Sequence, residues 1–347
     1  MKYFLVVAGL LIFALTSMTC HAPTEPSNNS ADTTSNDWTF TETMLGGASG
    51  SNLYDVAIVN DTDAWAVGEI YQDSSNGSLD PFPYNVAHWN GDAWDISQIS
   101  VSYQGHSIIT PIQGVFPFSP NDIWLMAGDP IHGDGENWSD YDIRSITGNN
   151  NLVVYKAWGA NSSSLYFAGW NGTLVRYSAG TWQSLSSKTS LILQDIYGSD
   201  GTVLAVASDP GESLDKEILQ INGTNVTQLS TAGIQWPLSS VWFVPGHYYV
   251  VGQGIYEKTS LSQSTWQEDS VDTVDFFSSI RGNAWNDFFV AGGYGQLLHF
   301  NGKTWRSYQN VLGLQQGGIA SIAVKGNLMI GVGYLGSKAV AFVGKRS

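Results

Sequence analysis

The chain holds one cysteine, Cys20, in 347 residues. That excludes a disulfide within the chain and any cysteine-based zinc cluster. Charge is also scarce, at 13% of residues, and most of it is acidic: 14 Lys and Arg stand against 30 Asp and Glu, a net charge of −16. Nucleic-acid affinity rests on clustered Lys and Arg, so a phosphate-backbone partner is excluded. No amphipathic helical stretch of useful length occurs. The longest early apolar run, Tyr3 to Leu15, has 13 residues and is too short for an ordinary membrane-spanning helix. His88, His132, His247 and His299 occur singly, with no HExxH and no triad spacing, so packing or surface roles are expected of them.

What the chain has in quantity is glycine (38), tryptophan (14) and tyrosine (16). Strand-forming aromatics between frequent turn residues predict an all-β chain. Phe277 to Tyr308 shows the unit. It reads as four short strands: Ser278–Gly282, Phe288–Ala291, Gln296–Phe300 and one opening at Trp305. Asn301-Gly302, before the last, suits a two-residue type I′ turn with both positions at positive φ.

The unit recurs. An apolar residue marks each opening strand: Val56, Val115, Ala157, Ile196, Val241, Ile280 and Ile322, spaced 59, 42, 39, 45, 39 and 42 residues apart. A second landmark opens each fourth strand: Trp94, Trp138, Trp182, Val226, Trp266 and Trp305. A period of about 42 residues with four strands predicts a β-propeller. Seven opening strands have only six downstream partners, and the last unit ends after its third strand. Asp37–Glu42 supplies the missing one. The expected fold is therefore a seven-bladed β-propeller of four-stranded antiparallel blades, its ring closed by the N-terminal strand completing the C-terminal blade. Second strands such as Tyr166-Phe-Ala-Gly169 and Phe289-Val-Ala-Gly292 lack alternation, as strands covered on both faces should.

Three regions follow: a signal at 1–19, a disordered tether at 20–36 and the propeller at 37–347. The start, with Lys2, an apolar core and Cys20 just after it, resembles a bacterial lipoprotein signal, although Ser17-Met18-Thr19 departs from the usual residues before the cysteine. The resemblance implies lipidation of Cys20 and a place in the bacterial cell envelope, on the outer membrane; ordinary secretion is the alternative. His21 to Asn36 is polar, without an apolar period.

Trp170-Asn-Gly-Thr-Leu-Val-Arg-Tyr-Ser-Ala-Gly-Thr-Trp182 is similar to the repeat of photosystem II assembly-factor-like propellers, and to the Asp-box repeats first named in bacterial neuraminidases. The resemblance covers 37 to about 344. It implies fold and leaves activity open. A neuraminidase needs three converging arginines, and by repeat position only Arg281 lies on an innermost strand. Arg176, Arg306 and Arg144 are expected on outer strands, and Arg346 is at the tail.

Loop lengths point to a working face. First-to-second and third-to-fourth turns are short. Second-to-third loops and links between blades vary, and both emerge on one face around the channel mouth. Tyr71, Phe82, Tyr84, Tyr103, His106 and Trp236 belong there, and Trp170, Tyr294 and Tyr334 recur after the second-strand glycine. Trp170, Tyr294, Tyr334, Tyr71 and Tyr84 are the expected contacts for a glycan or protein partner, capping of the core being the alternative. Asp129, Asp134, Glu136, Asp140 and Asp142 offer oxygens to calcium but match no known loop. No other cofactor is expected, and the body is expected to be monomeric. Gly331-Val-Gly333-Tyr-Leu-Gly336 matches GxGxxG but has no following helix, so no dinucleotide site is expected. The alternative function is a carbohydrate-active enzyme, with Glu69, Asp80, Asp129 or Glu212 as candidate carboxylates and none singled out as a pair.

Overall fold

The computed structural model describes residues 33–47, 50–72, 81–103, 106–209, 211, 213–269, 271 and 276–347. These form seven four-stranded antiparallel sheets, with a small hairpin, Val101–Tyr103 and His106–Ile108, in the link after the first blade. The innermost strands of blades 1 to 7 are Asn52–Asn60, Gly114–Ser119, Val154–Asn161, Ile192–Ser199, Leu238–Val244, Phe277–Ala284 and Gly317–Lys325. Each contains its expected apolar landmark.

Blade 7 is built from both ends of the described chain. Trp38–Leu45 pairs antiparallel with Lys338–Arg346, from Trp38 opposite Arg346 to Leu45 opposite Ala339. Hydrogen bonding to the body starts earlier still. Thr34 N donates to Asn301 O (3.1 Å), and Thr34 Oγ1 to Asn286 O (2.8 Å). The closure covers a sheet edge that would otherwise lie open.

The core is seven clusters, one between each pair of adjacent blades. The second strand of blade 3 shows why its sequence does not alternate. Leu165 and Phe167 are buried toward blade 2, whereas Tyr166 and Ala168 are buried toward blade 4. A strand apolar on both faces reads as a continuous run.

The hairpin before the fourth strand differs from the expected type I′ turn. In blades 1, 2 and 6 the loop has four residues, and the Oδ1 of Asn90, Asp134 or Asn301 accepts the backbone N–H groups two and three positions on. One side-chain oxygen thus satisfies two donors, and only the glycine needs a positive φ (99°, 94° and 92° for Gly91, Gly135 and Gly302). Blade 3 alone has consecutive positive values here, at Ala179 (46°) and Gly180 (86°). It is also the unit whose tryptophan follows the glycine by two residues instead of three.

The histidines have packing roles, with a recurrence not visible in their spacing. His88, His132 and His299 bond through Nε2 to Asp63, Asp122 and Asp287, at 2.9, 2.8 and 2.9 Å. Each of these aspartates opens a second strand. The ring two residues later, Trp65, Trp124 or Phe289, lies 4.2–4.4 Å from the imidazole, centroid to centroid.

Candidate functional site

In six blades the register of the innermost strand shifts just before the landmark, for example between Leu53 and Asp55 and between Leu193 and Asp195. A bulge adds one residue, so two consecutive side chains turn toward the axis. The first of each pair rims the channel: Tyr54, Tyr155, Gln194, Ser239, Ser278 and Ala320, joined by Gln113 of blade 2. The second forms a polar girdle deeper in: Asp55, Lys156, Asp195, Ser240, Ser279 and Ser321.

The girdle links blades. Val115 N donates to Asp55 (3.2 Å), Val241 N to Asp195 (3.1 Å), Ile280 N to Ser240 (3.3 Å) and Ile322 N to Ser279 (3.2 Å). The donor is in each case the landmark residue of the next blade. Blade 7 reaches blade 1 through Ser321 Oγ, which donates to Asp55 (2.7 Å). Blade 2 has Gly114 at this position. A Cβ there would lie 2.1 Å from Tyr155 O, and across the gap Lys156 Nζ reaches Asp55 at 2.8 Å.

Asp195 is saturated. Its Oδ1 accepts from Ile196 N and Arg281 Nη2, both at 3.0 Å. Its Oδ2 accepts from Ser240 Oγ (2.6 Å), Val241 N (3.1 Å) and Arg281 Nη1 (3.0 Å). Burial alone would raise this carboxyl, but the charge and hydrogen bonds of Arg281 outweigh it and hold it below the ordinary range. The bidentate pair, with Lys156 beside it, divides the channel into a cavity of about 310 Å³ at the mouth and one of about 290 Å³ at the other end.

The five expected contact residues do not converge. Trp170, Tyr294 and Tyr334 are exposed, at 50%, 62% and 41%, but none lines the mouth cavity, because a second strand stands one strand away from the axis. Nor do they share one position. Trp170 N and Gly293 N make the equivalent bonds, to Val153 O and Phe276 O, so Tyr294 matches Asn171. Tyr294 (φ 53°) and Asn171 (φ 51°) share the left-handed conformation. Tyr71 is half-buried and donates to Glu69 (3.3 Å), whose other oxygen accepts from Tyr54. Tyr84 is half-buried against the cluster between blades 7 and 1. Cys20, Asp80 and Glu212 lie outside the described residues.

The acidic group of blade 2 is split. Asp134 and Glu136 are in the third-to-fourth turn, where Asp134 Oδ1 already accepts two backbone N–H groups. Asp129, Asp140 and Asp142 are at the other end of the blade. Asp142 caps the short helix Ile143–Thr147, which carries Arg144, expected on an outer strand, onto Asp129. Burial pushes the Asp129 carboxyl up to about 6, against the pull of Arg144. Of the arginines, Arg281 alone lines the channel cavities.

Sequence reasoning missed a second feature of this face, a groove of about 420 Å³ beside the mouth with Leu214, Trp236 and Phe276 along it, 58%, 37% and 37% exposed. Phe276 borders both the groove and the mouth cavity. Loop position alone puts Trp236 on this face. Phe276 lies in a link whose length gave no signal.

No family model matches the sequence, and no curated protein matches it either. Solved structures do resemble the fold. YCF48 bound to D1 peptide aligns over 90% of this chain and 98% of its own, with a TM-score of 0.64 and 16% identity. YCF48 from Cyanidioschyzon merolae aligns over 87% and 98%, at 0.61 and 14%. The WD40 β-propeller domain of Doa1 aligns over 88% and 96%, at 0.60 and 14%. At such identities the likeness establishes the propeller fold.

Proposed function

We propose that this chain is a protein-binding propeller whose partner docks across the face bearing the second-to-third connections and the links between blades. One observation carries the reading. All eleven exposed large hydrophobic side chains among the described residues lie in those connections and links, or one residue inside a strand end leading into them. None is on a first-to-second or third-to-fourth turn. Apolar surface gathered on one face marks an interaction site. A propeller of similar fold, YCF48, is seen with a bound D1 peptide, which supports a polypeptide as the class of partner. The Leu214–Trp236–Phe276 groove would take an apolar anchor of the partner, with Trp170, Tyr294 and Tyr334 as outlying contacts.

We further propose that the body sits in a bacterial envelope, tethered through the lipid that the lipoprotein-like start of the sequence implies on Cys20. Thr34 meets the turns at Asn286 and Asn301, so the chain enters the body at the face opposite the mouth. A tether leaving from there would turn the mouth away from the bilayer.

The test is capture of partners from detergent-solubilised native envelopes by the intact chain and by a Leu214→Ser, Trp236→Ser, Phe276→Ser variant. The variant is expected to lose the polypeptides that the intact chain retains, with an unchanged melting curve. Equal retention by both would refute the docking face. For the anchor, Cys20→Ser should release the protein from the membrane fraction, and unchanged fractionation would refute lipidation.

A further inference from the structure

The mouth cavity has two unlike halves. Blades 1 to 4 contribute long rim side chains, among them Tyr54, Gln113 and Tyr155, while blades 5 to 7 contribute Ser239, Ser278 and Ala320. The void of about 310 Å³ is the space that the short ones leave, toward the lower end of the range for small-ligand pockets.

Its floor offers little to an ion. Asp195 has five donors around its two oxygens. Arg281 divides Nη1 among Asp195, Ser240 and two backbone carbonyls. Lys156 is held by Asp55. The charges are matched, two against two, so an ion of either sign meets no net opposite charge there.

Neutral hydrogen bonding, by contrast, is open. The side-chain amide of Gln113 and the hydroxyl of Tyr155 bond no other described residue, and both border the cavity. The rings of Tyr54 and Tyr155 add apolar faces. Amide, hydroxyl and ring face together match a molecule with hydroxyls on its edge and C–H groups on its flat sides. We propose that the channel mouth binds a small neutral saccharide of one or two pyranose rings, held by Gln113 and Tyr155 above the Asp195–Arg281 pair. This site lies inside the channel and shares only Phe276 with the apolar groove assigned to a polypeptide, so variants at Gln113 and Tyr155 or at Trp236 let each proposal fail alone.

Isothermal titration of the full-length chain, kept in a polyoxyethylene detergent free of sugar, tests it. The probes are glucose, galactose, N-acetylglucosamine, maltose and cellobiose, with glutarate as a charged control. At least one sugar should bind saturably at one site per chain. Gln113→Ala and Tyr155→Phe should each weaken it about tenfold, the loss of a hydrogen bond or two, with melting unchanged. Trp236→Ser should leave it unaltered. The proposal is overturned if none of the sugars saturates, if glutarate binds in their place, or if binding ignores both variants.

Discussion

Asp287 accepts four hydrogen bonds at the closing seam. It accepts from His299 Nε2 (2.9 Å), Asn283 Nδ2 (2.8 Å) and both Nη atoms of Arg346 (2.7 and 2.9 Å). His299 in turn bonds Asn36 through Nδ1 (2.6 Å). Burial by itself would raise the Asp287 carboxyl, and the hydrogen bonds from His299, Arg346 and Asn283 hold it at about 2. A depressed carboxyl stabilises the fold above its unfolded value. Asp287 therefore contributes fully above a pH of about 4 and loses that contribution as the pH falls toward 2. Asp287→Asn should cost about 3 kcal/mol in urea unfolding at neutral pH, because it strands Arg346 in a buried network, and should flatten the acid limb of stability. An unchanged acid limb would show that the network does not hold the seam. None of these links was legible in the sequence. Asn36 and Asp287 are 251 positions apart, and only the ring brings them together.

The strands and the places of the turns were legible, though not the conformation of the turns. Every apolar landmark falls on an innermost strand, because a four-stranded meander repeats at a nearly fixed length and must cover both faces of its inner strands. The girdle was not legible. The residue before each landmark runs Asp55, Gly114, Lys156, Asp195, Ser240, Ser279, Ser321, polar in six units but mixed in size and in sign of charge. Only the bulge gives these positions a common direction, and bulges leave no mark in composition. The expected contact residues do not share one position for a related reason. An extra glycine, Gly293, shifted Tyr294 by one position relative to Trp170, and a one-residue offset moves a side chain to a different environment. Two changes probe this level. Ala179 is a non-glycine residue at φ 46°, so Ala179→Asn should raise stability by about 0.5–1 kcal/mol, visible as a higher Tm. Gly114→Ala should lower it by about 1–3 kcal/mol, since the new Cβ would meet Tyr155 O at 2.1 Å. A neutral result at Gly114 would mean that the inner strands part there without cost.

At the scale of the whole molecule, the ring joins closure to display. The first described strand completes the last blade, and the segment before it is fixed at the turn face by Thr34 and Asn36. Removal of residues 37–45 should therefore lower the melting temperature sharply, since blade 7 would lose its outer strand and Phe289 its edge contact with Trp38. If the truncated chain melts like the intact one, closure is not what holds the ring. Among the described residues, the same arrangement leaves the turn face without large exposed hydrophobics and gathers them on the opposite face. The most direct test of that division is site-specific photo-crosslinking in native envelopes, with a benzophenone side chain placed at Phe276, at Trp236 or, on the turn face, at Thr62 or Lys303. Polypeptide adducts are expected from the first two positions and none from the others; adducts from Thr62 and Lys303 alone, or equally from all four, would refute the docking face.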